Sequence, residues 1–192
     1  FRFENKLNLG KMSNNSDLLG DICFISKGIV AHAEERNYKN EFKKEDLLAE
    51  KKDKFHPKLY VEAKYLDRYH IKKVKYFEWG TDRSPHKLSR PTFPELYKSP
   101  KIIRGMMTGA VYDEQNILCN HSCCVITLFF SIKSVNNRNI NISINKYNLK
   151  SRKQLEGISK EYDLKYILSI INSKLGYFFL NSIRRSRLQN AF

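Results

Sequence analysis

KIIRGMMTGAVYDEQNILCNHSCCVITLFF, residues 101–130, is the stretch of this sequence that decides the fold class. Its first four residues, Lys101–Arg104, contain paired isoleucines and predict a strand. Ala110–Tyr112 and the longer run Ile117–Phe130 flank a polar turn at Asp113–Asn116, which is the arrangement of a β-hairpin. The middle of the chain is therefore predicted to form a sheet.

Further strands are predicted on both sides of this stretch. Lys58–Tyr65 alternates apolar side chains with others, as a strand does. Ile140, Ile142 and Ile144 alternate with asparagine and serine, which predicts a second strand that is half buried and half solvated.

Loops and a terminal helix complete the expected fold. Arg83–Lys101 holds four of the five prolines, so it is predicted to be a long loop with one helical turn at Pro94–Tyr97. From Leu164 to Phe178 apolar side chains recur at helical spacing, which predicts an amphipathic helix of about five turns. The expected class is α+β: an irregular twisted sheet, mixed or antiparallel, with long loops and a C-terminal amphipathic helix.

The chain is strongly basic, because 35 Lys and Arg face only 20 Asp and Glu, for a formal net charge of +15. So large a charge opposes compaction, and an anionic partner is its natural explanation. A lysine- and asparagine-rich chain from an AT-rich genome would show the same bias without binding anything. No apolar stretch reaches the ~20 residues that span a bilayer, so no membrane partner is predicted.

The excess charge is concentrated in segments 64–75, 83–104, 131–153 and 184–187. In the first three, aromatic side chains, histidines or asparagines stand among the cations. Cations neutralise phosphates, whereas Arg, Lys, Asn and Gln can pair with base edges. The pattern therefore predicts nucleic acid as the polyanion.

The cysteines indicate a reducing, cytoplasmic setting. Four cysteines, two of them adjacent, do not form a disulfide framework in 192 residues. Cys119, His121, Cys123 and Cys124 are possible zinc donors, but four donors within six residues lack the loops of structural zinc sites. Free cysteine in an apolar strand behaves as a small hydrophobe, and no metal site is predicted.

Catalytic motifs for methyl transfer are missing from the sequence. Adenine methylation needs an Asn/Asp-Pro-Pro-aromatic loop and a glycine-rich cofactor turn, yet no Pro-Pro occurs and no two glycines form G-x-G. No catalytic residue or cofactor is therefore expected in this chain. The enzymatic alternative is a Mg²⁺-dependent nuclease, in which Asp53 and Glu62 hold the metal and Lys64 helps the attacking water.

Five motifs follow one another in an order typical of a known family. In chain order they are Leu19–Ile29, Leu59–Tyr69, Pro94–Ile103, Ala110–Asp113 and Leu168–Leu175. The second is similar to a family segment of the type Lys-Asp-Ile-x-Arg-Tyr, although Tyr65 stands where Asp is usual and Ala63 where Gly is usual. The third is similar to Pro-Glu-Leu-Phe-x-x-Pro-Lys-Ile, and the fifth to Leu-x-x-Ile-Leu-Asn-Ser-Lys-Leu.

From about Leu19 to Leu180 the chain resembles the TaqI-like C-terminal specificity domain of adenine-specific DNA methyltransferases and combined restriction–modification enzymes. The resemblance implies a non-catalytic module that reads duplex DNA. A catalytic domain, in the same or a partner chain, would bind S-adenosylmethionine and the flipped adenine, and Mg²⁺ if the parent also cleaves. Residues 1–17 would be an extension from a preceding domain, 18–158 the target-recognition domain, and 159–192 a helix packing on it or on a partner domain.

The predicted contact residues combine the resemblance with the basic segments. We expect four cations to fix the position of the protein on the DNA by contacting phosphates or base edges: Lys64, Arg68, Lys101 and Arg104. Two loops, at Lys27–Gly28 and around Arg83 and His86, are expected to determine which DNA sequence is recognised. The full predicted set is Lys27, Gly28, Lys64, Arg68, Lys72, Lys73, Arg83, His86, Lys101, Arg104 and Arg138. Two further alternatives stay open: an RNA-binding module that prefers single strands or hairpins, and an assembly domain whose functional surface is the terminal helix.

Overall fold

A computed structural model describes residues 18–31, 41–88 and 93–178, and the architecture of these residues is α+β. The strands are β1 (Cys23–Lys27), β2 (Leu48–Ala49), β3 (Lys58–Val61), β4 (Leu66–Asp67), β5 (His70–Ile71), β6 (Lys75–Phe77), β7 (Lys101–Gly105), β8 (Ala110–Asp113), β9 (Leu118–Cys119) and β10 (Cys123–Leu128). The α-helices are α1 (Leu19–Ile22), α2 (Arg138–Tyr147), α3 (Arg152–Ser159) and α4 (Leu164–Asn172). Short 3₁₀ turns lie at Lys44–Leu47, Ala63–Tyr65, Pro94–Tyr97 and Phe130–Ile132.

The first sheet has the strand order β1-β10-β7-β8 and is antiparallel throughout. Side chains alternate between its two faces, as the period of a strand requires. One face meets the core of the second sheet through Phe24, Ile103, Val111 and Val125. The other face packs against α4 through Cys23, Ile102, Ala110 and Ile126. The sheet is therefore covered on both faces.

The second sheet has the order β2-β6-β3-β9, with a parallel β3–β9 pair beside two antiparallel pairs, so it is mixed. Tyr60 of β3 stacks on Phe77 of β6 with ring centroids 4.9 Å apart, and both side chains are buried. β4 and β5 form a separate two-stranded hairpin. This hairpin lies against the start of β8, because the Tyr69 N–H donates to the Ala110 carbonyl at 2.9 Å.

The predicted hairpin between Ala110–Tyr112 and Ile117–Phe130 is wrong, because these two segments do not pair with each other. β8 pairs with β7 instead, and β10 pairs with β1 and β7. The reason is the side chain of Asp113, whose carboxylate accepts the N–H groups of Gln115 and Ile117. This turn leads the chain out of the first sheet and into the second, where β9 joins β3.

The strand predicted at Ile140–Ile144 is wrong, because these residues lie in α2. Ile140 and Ile144 are buried one turn apart, whereas Ile142 is exposed. Asn137 caps the helix by accepting from the Asn139 N–H at 2.8 Å. Here capping and i,i+4 burial outweigh the two-residue alternation of the sequence.

The terminal helix is interrupted rather than continuous. α4 ends at Asn172, Ser173 is a bend, and residues 174–178 are helical again. The predicted helical turn at Pro94–Tyr97 is present as a 3₁₀ turn. Within the described ranges, no helix is long and apolar enough to cross a membrane.

Candidate nucleic-acid interface

One end of the first sheet carries a row of side chains from neighbouring strands. In the strand register, Lys27 of β1 lies opposite Cys124 of β10, Cys124 lies opposite Arg104 of β7, and Arg104 lies opposite Ala110 of β8. Directly opposed residues of antiparallel strands share a face, so these four side chains lie in line. Lys27 is exposed, Arg104 and Cys124 are partly buried, and Ala110 is covered by α4. Two of the predicted cations thus flank a thiol on the sheet surface.

The second sheet brings further cations to the same end. The end of β3 lies close to the first sheet. The Asn120 N–H donates to the Val61 carbonyl at 3.2 Å, and the Asn120 carbonyl accepts the N–H of Cys123, the first residue of β10, at 2.9 Å. The chain then continues through the 3₁₀ turn at Ala63–Tyr65 into the β4–β5 hairpin. This segment carries four predicted contact residues, namely Lys64, Arg68, Lys72 and Lys73.

The β7–β8 loop locks the two groups of cations together. Gly109 lies so close to the β4–β5 hairpin that a Cβ added there would stand 2.2 Å from the Arg68 nitrogen. Only glycine fits this approach. Tyr69, next to Arg68, has a positive φ of 64° and is exposed. We call the surface formed by Lys27, Lys64, Arg68, Lys72, Lys73 and Arg104 the basic end.

Three of these cations have acidic neighbours. Lys64 lies 3.4 Å from Glu62, Lys72 lies 3.0 Å from Asp67, and the third pair, Lys73–Glu50, is 2.8 Å long. Glu62 raises the pKa of Lys64, while Lys72 and the Arg68 N–H lower that of Asp67. Asp67 and Glu50 are exposed, and ion pairs between exposed side chains contribute little to stability, so a phosphate can replace these two carboxylates. Glu62 is buried and stays with its lysines.

Two open clefts adjoin the basic end. The first, of about 360 Å³, is lined by Lys64, Leu66, Asp67, Arg68, Lys72, Met107, Thr108, Gly109 and Tyr177. The Arg68 guanidinium stands 5.0 Å above the ring of Tyr177, a cation–π contact between the hairpin and the segment after α4. The second, of about 380 Å³, is lined by Glu62, Ala63, Lys64, Met106, Met107, Thr108, Asn120 and Ser122.

Lys101 is not part of the basic end, and its predicted role in contacting DNA is wrong. Its side chain is 0% exposed and forms an ion pair with the equally buried Asp113. The ammonium also donates to the Tyr97 carbonyl at 2.7 Å. Burial lowers the pKa of Lys101, although Asp113 acts in the opposite direction. Lys101 alternates in β7 with Ile102 and points into the core, so it cannot reach a phosphate.

Gly28 does not lie in an open loop as predicted. It is buried, its N–H donates to the Cys123 carbonyl at 3.0 Å, and an added Cβ would stand 2.3 Å from the Cys119 carbonyl oxygen. Lys27 belongs to β1. The close packing of β1 on the β9–β10 connection explains the glycine, and it excludes direct contact of Gly28 with a ligand.

Three other predicted residues lie away from the basic end. Arg83 follows the far end of β6, where it pairs with the buried Glu78 at 2.5 Å and donates to the Asp46 carbonyl. Glu78 raises the pKa of Arg83. His86 is exposed in the same loop. Arg138 is the first residue of α2. This helix follows the end of β10 that is remote from Cys124. The basic cluster predicted at 184–187 lies outside the described residues.

The carboxylates of the alternative nuclease site are not brought together. Asp53 and Glu62 flank β3 on opposite sides, and β3 alone spans about 10 Å at 3.3 Å per residue. Asp53 accepts the N–H groups of Phe55 and His56, both at 2.8 Å. Glu62 is held by Lys44 at 2.6 Å. Among the described residues, no group of three or more His, Cys, Asp and Glu is arranged to hold a metal ion.

Of the four possible zinc donors, two lie in the core and two lie nearer the surface. Cys119 and Cys123 are buried, Cys124 is partly buried, and His121 is exposed in the turn between β9 and β10. Burial raises the pKa of Cys119 and of Cys124, and for Cys124 the nearby Arg104 and Lys27 counteract part of that rise.

Sequence reasoning missed the central residues of the basic end. Met107, Thr108 and Tyr177 line its first cleft. The available signal was the pair Gly105 and Gly109, which bracket a short loop containing two methionines. A hairpin between β7 and β8 would have placed that loop beside Arg104.

No protein-family model matches the chain, and no curated protein is significantly similar to it.

Proposed function

We propose that this chain is a non-catalytic DNA-reading module, the target-recognition domain of an adenine-specific DNA methyltransferase or a combined restriction–modification enzyme of the cytoplasm. The basic end would clamp duplex DNA. Methyl transfer, with its S-adenosylmethionine, would be carried out by a catalytic domain elsewhere in the parent protein or in a partner chain.

The observation that carries this proposal is the convergence of the cations. Lys27, Arg104 and the segment Lys64–Lys73 are far apart in the sequence, yet the strand register places them at one end of the molecule. Convergent cations that flank open clefts are the electrostatic pattern of a nucleic-acid surface. The family resemblance independently selects Lys64 and Arg68.

Binding would proceed by exchange of anions. Glu50 and Asp67 are exposed and hold Lys73 and Lys72 loosely, so phosphates would displace them at small cost. The phosphate contacts would fix the position of the duplex, and side chains that reach base edges would then discriminate sequences by about 1–3 kcal/mol for each good pair.

The test is a titration of labelled duplex DNA with matched charge reversals. The variant K64E/R68E changes the basic end, and the control K153E/K160E makes the same change in net charge on α3 and the residue after it. We expect the first variant to lose duplex binding by at least about tenfold and the control to stay near the wild type, because local phosphate contacts dominate affinity.

Each alternative predicts a different outcome. Equal losses in both variants would show that total charge alone drives binding. A preference for single-stranded RNA over duplex DNA in competition would favour the RNA-binding alternative. No binding at low salt would refute the clamp and favour the assembly domain. Cutting of plasmid in Mg²⁺, abolished by E62Q, would favour the nuclease.

A further inference from the structure

Met107 is a large apolar side chain that lines the same clefts as three cations of the basic end, Lys64, Arg68 and Lys72. It stands at the tip of the β7–β8 loop and is 62% exposed. It lines both clefts, so it forms the ridge between them. Lys64 also lines both clefts, and Arg68 and Lys72 line the first. The packing of the core does not explain an exposed thioether beside these cations.

The loop that carries Met107 is fixed on several sides. The Gly105 N–H donates to the Gly109 carbonyl at 3.1 Å and closes the loop. The Met106 N–H donates to the Ser122 carbonyl at 3.0 Å, and the Thr108 hydroxyl donates to the Ala63 carbonyl at 2.9 Å. The tip is therefore held against both the β9–β10 connection and the end of β3 before any ligand arrives.

We propose that Met107 is a wedge that inserts between neighbouring base pairs when the basic end holds duplex DNA. The inference rests on the proposed function, because the cations must first hold the phosphates beside the loop. Apolar side chains, methionine among them, are known to enter base steps and partly unstack them. Insertion would remove the exposed thioether from water, and the unbranched side chain can adapt to the gap.

A wedge has an energetic signature that phosphate contacts lack. Unstacking is least costly at a mismatched pair or at a flexible pyrimidine–purine step. The wild-type chain is therefore expected to bind a duplex with one mismatch more tightly than the fully paired duplex. Phosphate contacts are the same in the two duplexes and produce no such preference.

The experiment uses the full 192-residue chain and two fluorescent duplexes, one fully paired and one with a single mismatch. Each carries 2-aminopurine, whose emission rises when the base unstacks. The variants are M107A, which removes the wedge, M107L, which keeps an apolar side chain of similar size, and L149A. Leu149 is the control, because it is a fully exposed apolar residue away from the basic end. It lies between α2 and α3, and its neighbours Asn148 and Lys150 contact Asp21, which precedes β1. Lys27 of the basic end lies at the other end of β1.

For the wild type, M107L and L149A we expect a rise in emission on binding and a preference for the mismatched duplex. M107A should lose both while its affinity for the paired duplex falls by less than about tenfold, since the phosphate contacts remain. Duplex binding without any rise in emission, or an M107A variant that behaves as the wild type, would overturn this inference and leave the proposed function intact. Absence of duplex binding would overturn both.

Discussion

Lys101 and Asp113 form an ion pair that is enclosed in the protein interior. Asp113 also accepts the N–H groups of Gln115 and Ile117, so the pair organises the turn between the two sheets. Removing one partner of a buried pair leaves an uncompensated charge, which costs about 3–5 kcal/mol. K101M should therefore lower the free energy of unfolding by about that amount in urea titrations.

The same variant separates a structural from a binding role of Lys101. At a temperature where K101M is still folded, its affinity for DNA should fall with salt concentration as steeply as that of the wild type. A smaller slope would mean that Lys101 reaches a phosphate, contrary to its burial.

Cys124 offers a footprint of the proposed interface, because it lies between Lys27 and Arg104. The other thiols, Cys23, Cys119 and Cys123, are buried, and burial raises the pKa of Cys23 to about 12. Maleimide should modify Cys124 first, and saturating duplex DNA should slow this reaction several-fold. Mass spectrometry of the labelled peptides measures the rate. If bound DNA left the rate unchanged, the row Lys27–Cys124–Arg104 would lie outside the interface.

Glu62 makes the stability of the fold depend on acid pH. Burial raises the pKa of Glu62, but its bond to Lys44 and the charges of Lys44 and Lys64 have the larger combined effect, so the pKa lies below the ordinary value of 4.5. The carboxylate therefore stabilises the fold above the unfolded pKa, and this stabilisation is lost as the pH falls through the folded pKa. The advantage of the wild type over E62Q in thermal unfolding should be present at neutral pH and disappear below 4.5.

At the scale of elements, a side-chain amide adds hydrogen bonds to the apolar packing of α4 on the first sheet. Asn172 is buried; its side-chain oxygen accepts the Ala110 N–H at 2.9 Å, and its amide donates to the Ala110 carbonyl at 2.8 Å. β8 is an edge strand, so this side chain replaces the missing neighbouring strand. The interaction gives a physical reason for asparagine at position 172.

N172A should lower the free energy of unfolding by about 1–3 kcal/mol, because it leaves the buried Ala110 N–H without its acceptor. The matched control is N141A, at an exposed position of α2, which should change stability by less than about 0.5 kcal/mol. Urea titrations of both variants make the comparison. Equal effects would show that helix propensity, and not the edge contact, determines the loss.

The sequence was informative about elements wherever local pattern and tertiary environment agreed. Lys101–Arg104 and the turn at Pro94–Tyr97 were predicted correctly. At Ile140–Ile144 two patterns coincided, since isoleucines at every second position also place Ile140 and Ile144 one helical turn apart. The pairing of β8 was missed because the polar run Asp113–Asn116 is the more obvious local turn signal, whereas the hairpin turn that joins β7 to β8 lies at residues 106–109.

At the scale of the whole molecule, the α+β class and much of the basic surface could be predicted. Composition identifies cations, and segment 64–75 supplies most of the basic end. Charge does not reveal burial or position, however. Lys101 and Arg138 were therefore predicted alongside Lys64, although Lys101 is buried and Arg138 lies in α2, away from the basic end. Met107 and Tyr177 were missed because their place in the surface arises from contacts between distant strands and helices.

The salt dependence of binding measures the size of the interface. If Lys27, Lys64, Arg68, Lys72 and Arg104 each neutralise one phosphate, the logarithm of the association constant should fall with the logarithm of salt concentration at a slope of about −4.5. K72A should reduce the slope by about 0.9 and K153A should not change it. A slope near zero would exclude a phosphate-binding surface.

The pairing of β1 with β10 also sets an order of events during synthesis. Cys23 lies opposite Leu128, so β1 leaves the ribosome long before its partner is made. At 5–20 residues per second the delay is roughly 5–20 s. Lys27, Lys64, Arg68, Lys72 and Lys73 are likewise synthesised before Arg104. The nascent chain thus carries five of the six cations of the basic end, together with an unpaired strand, before the sheet that positions them can form.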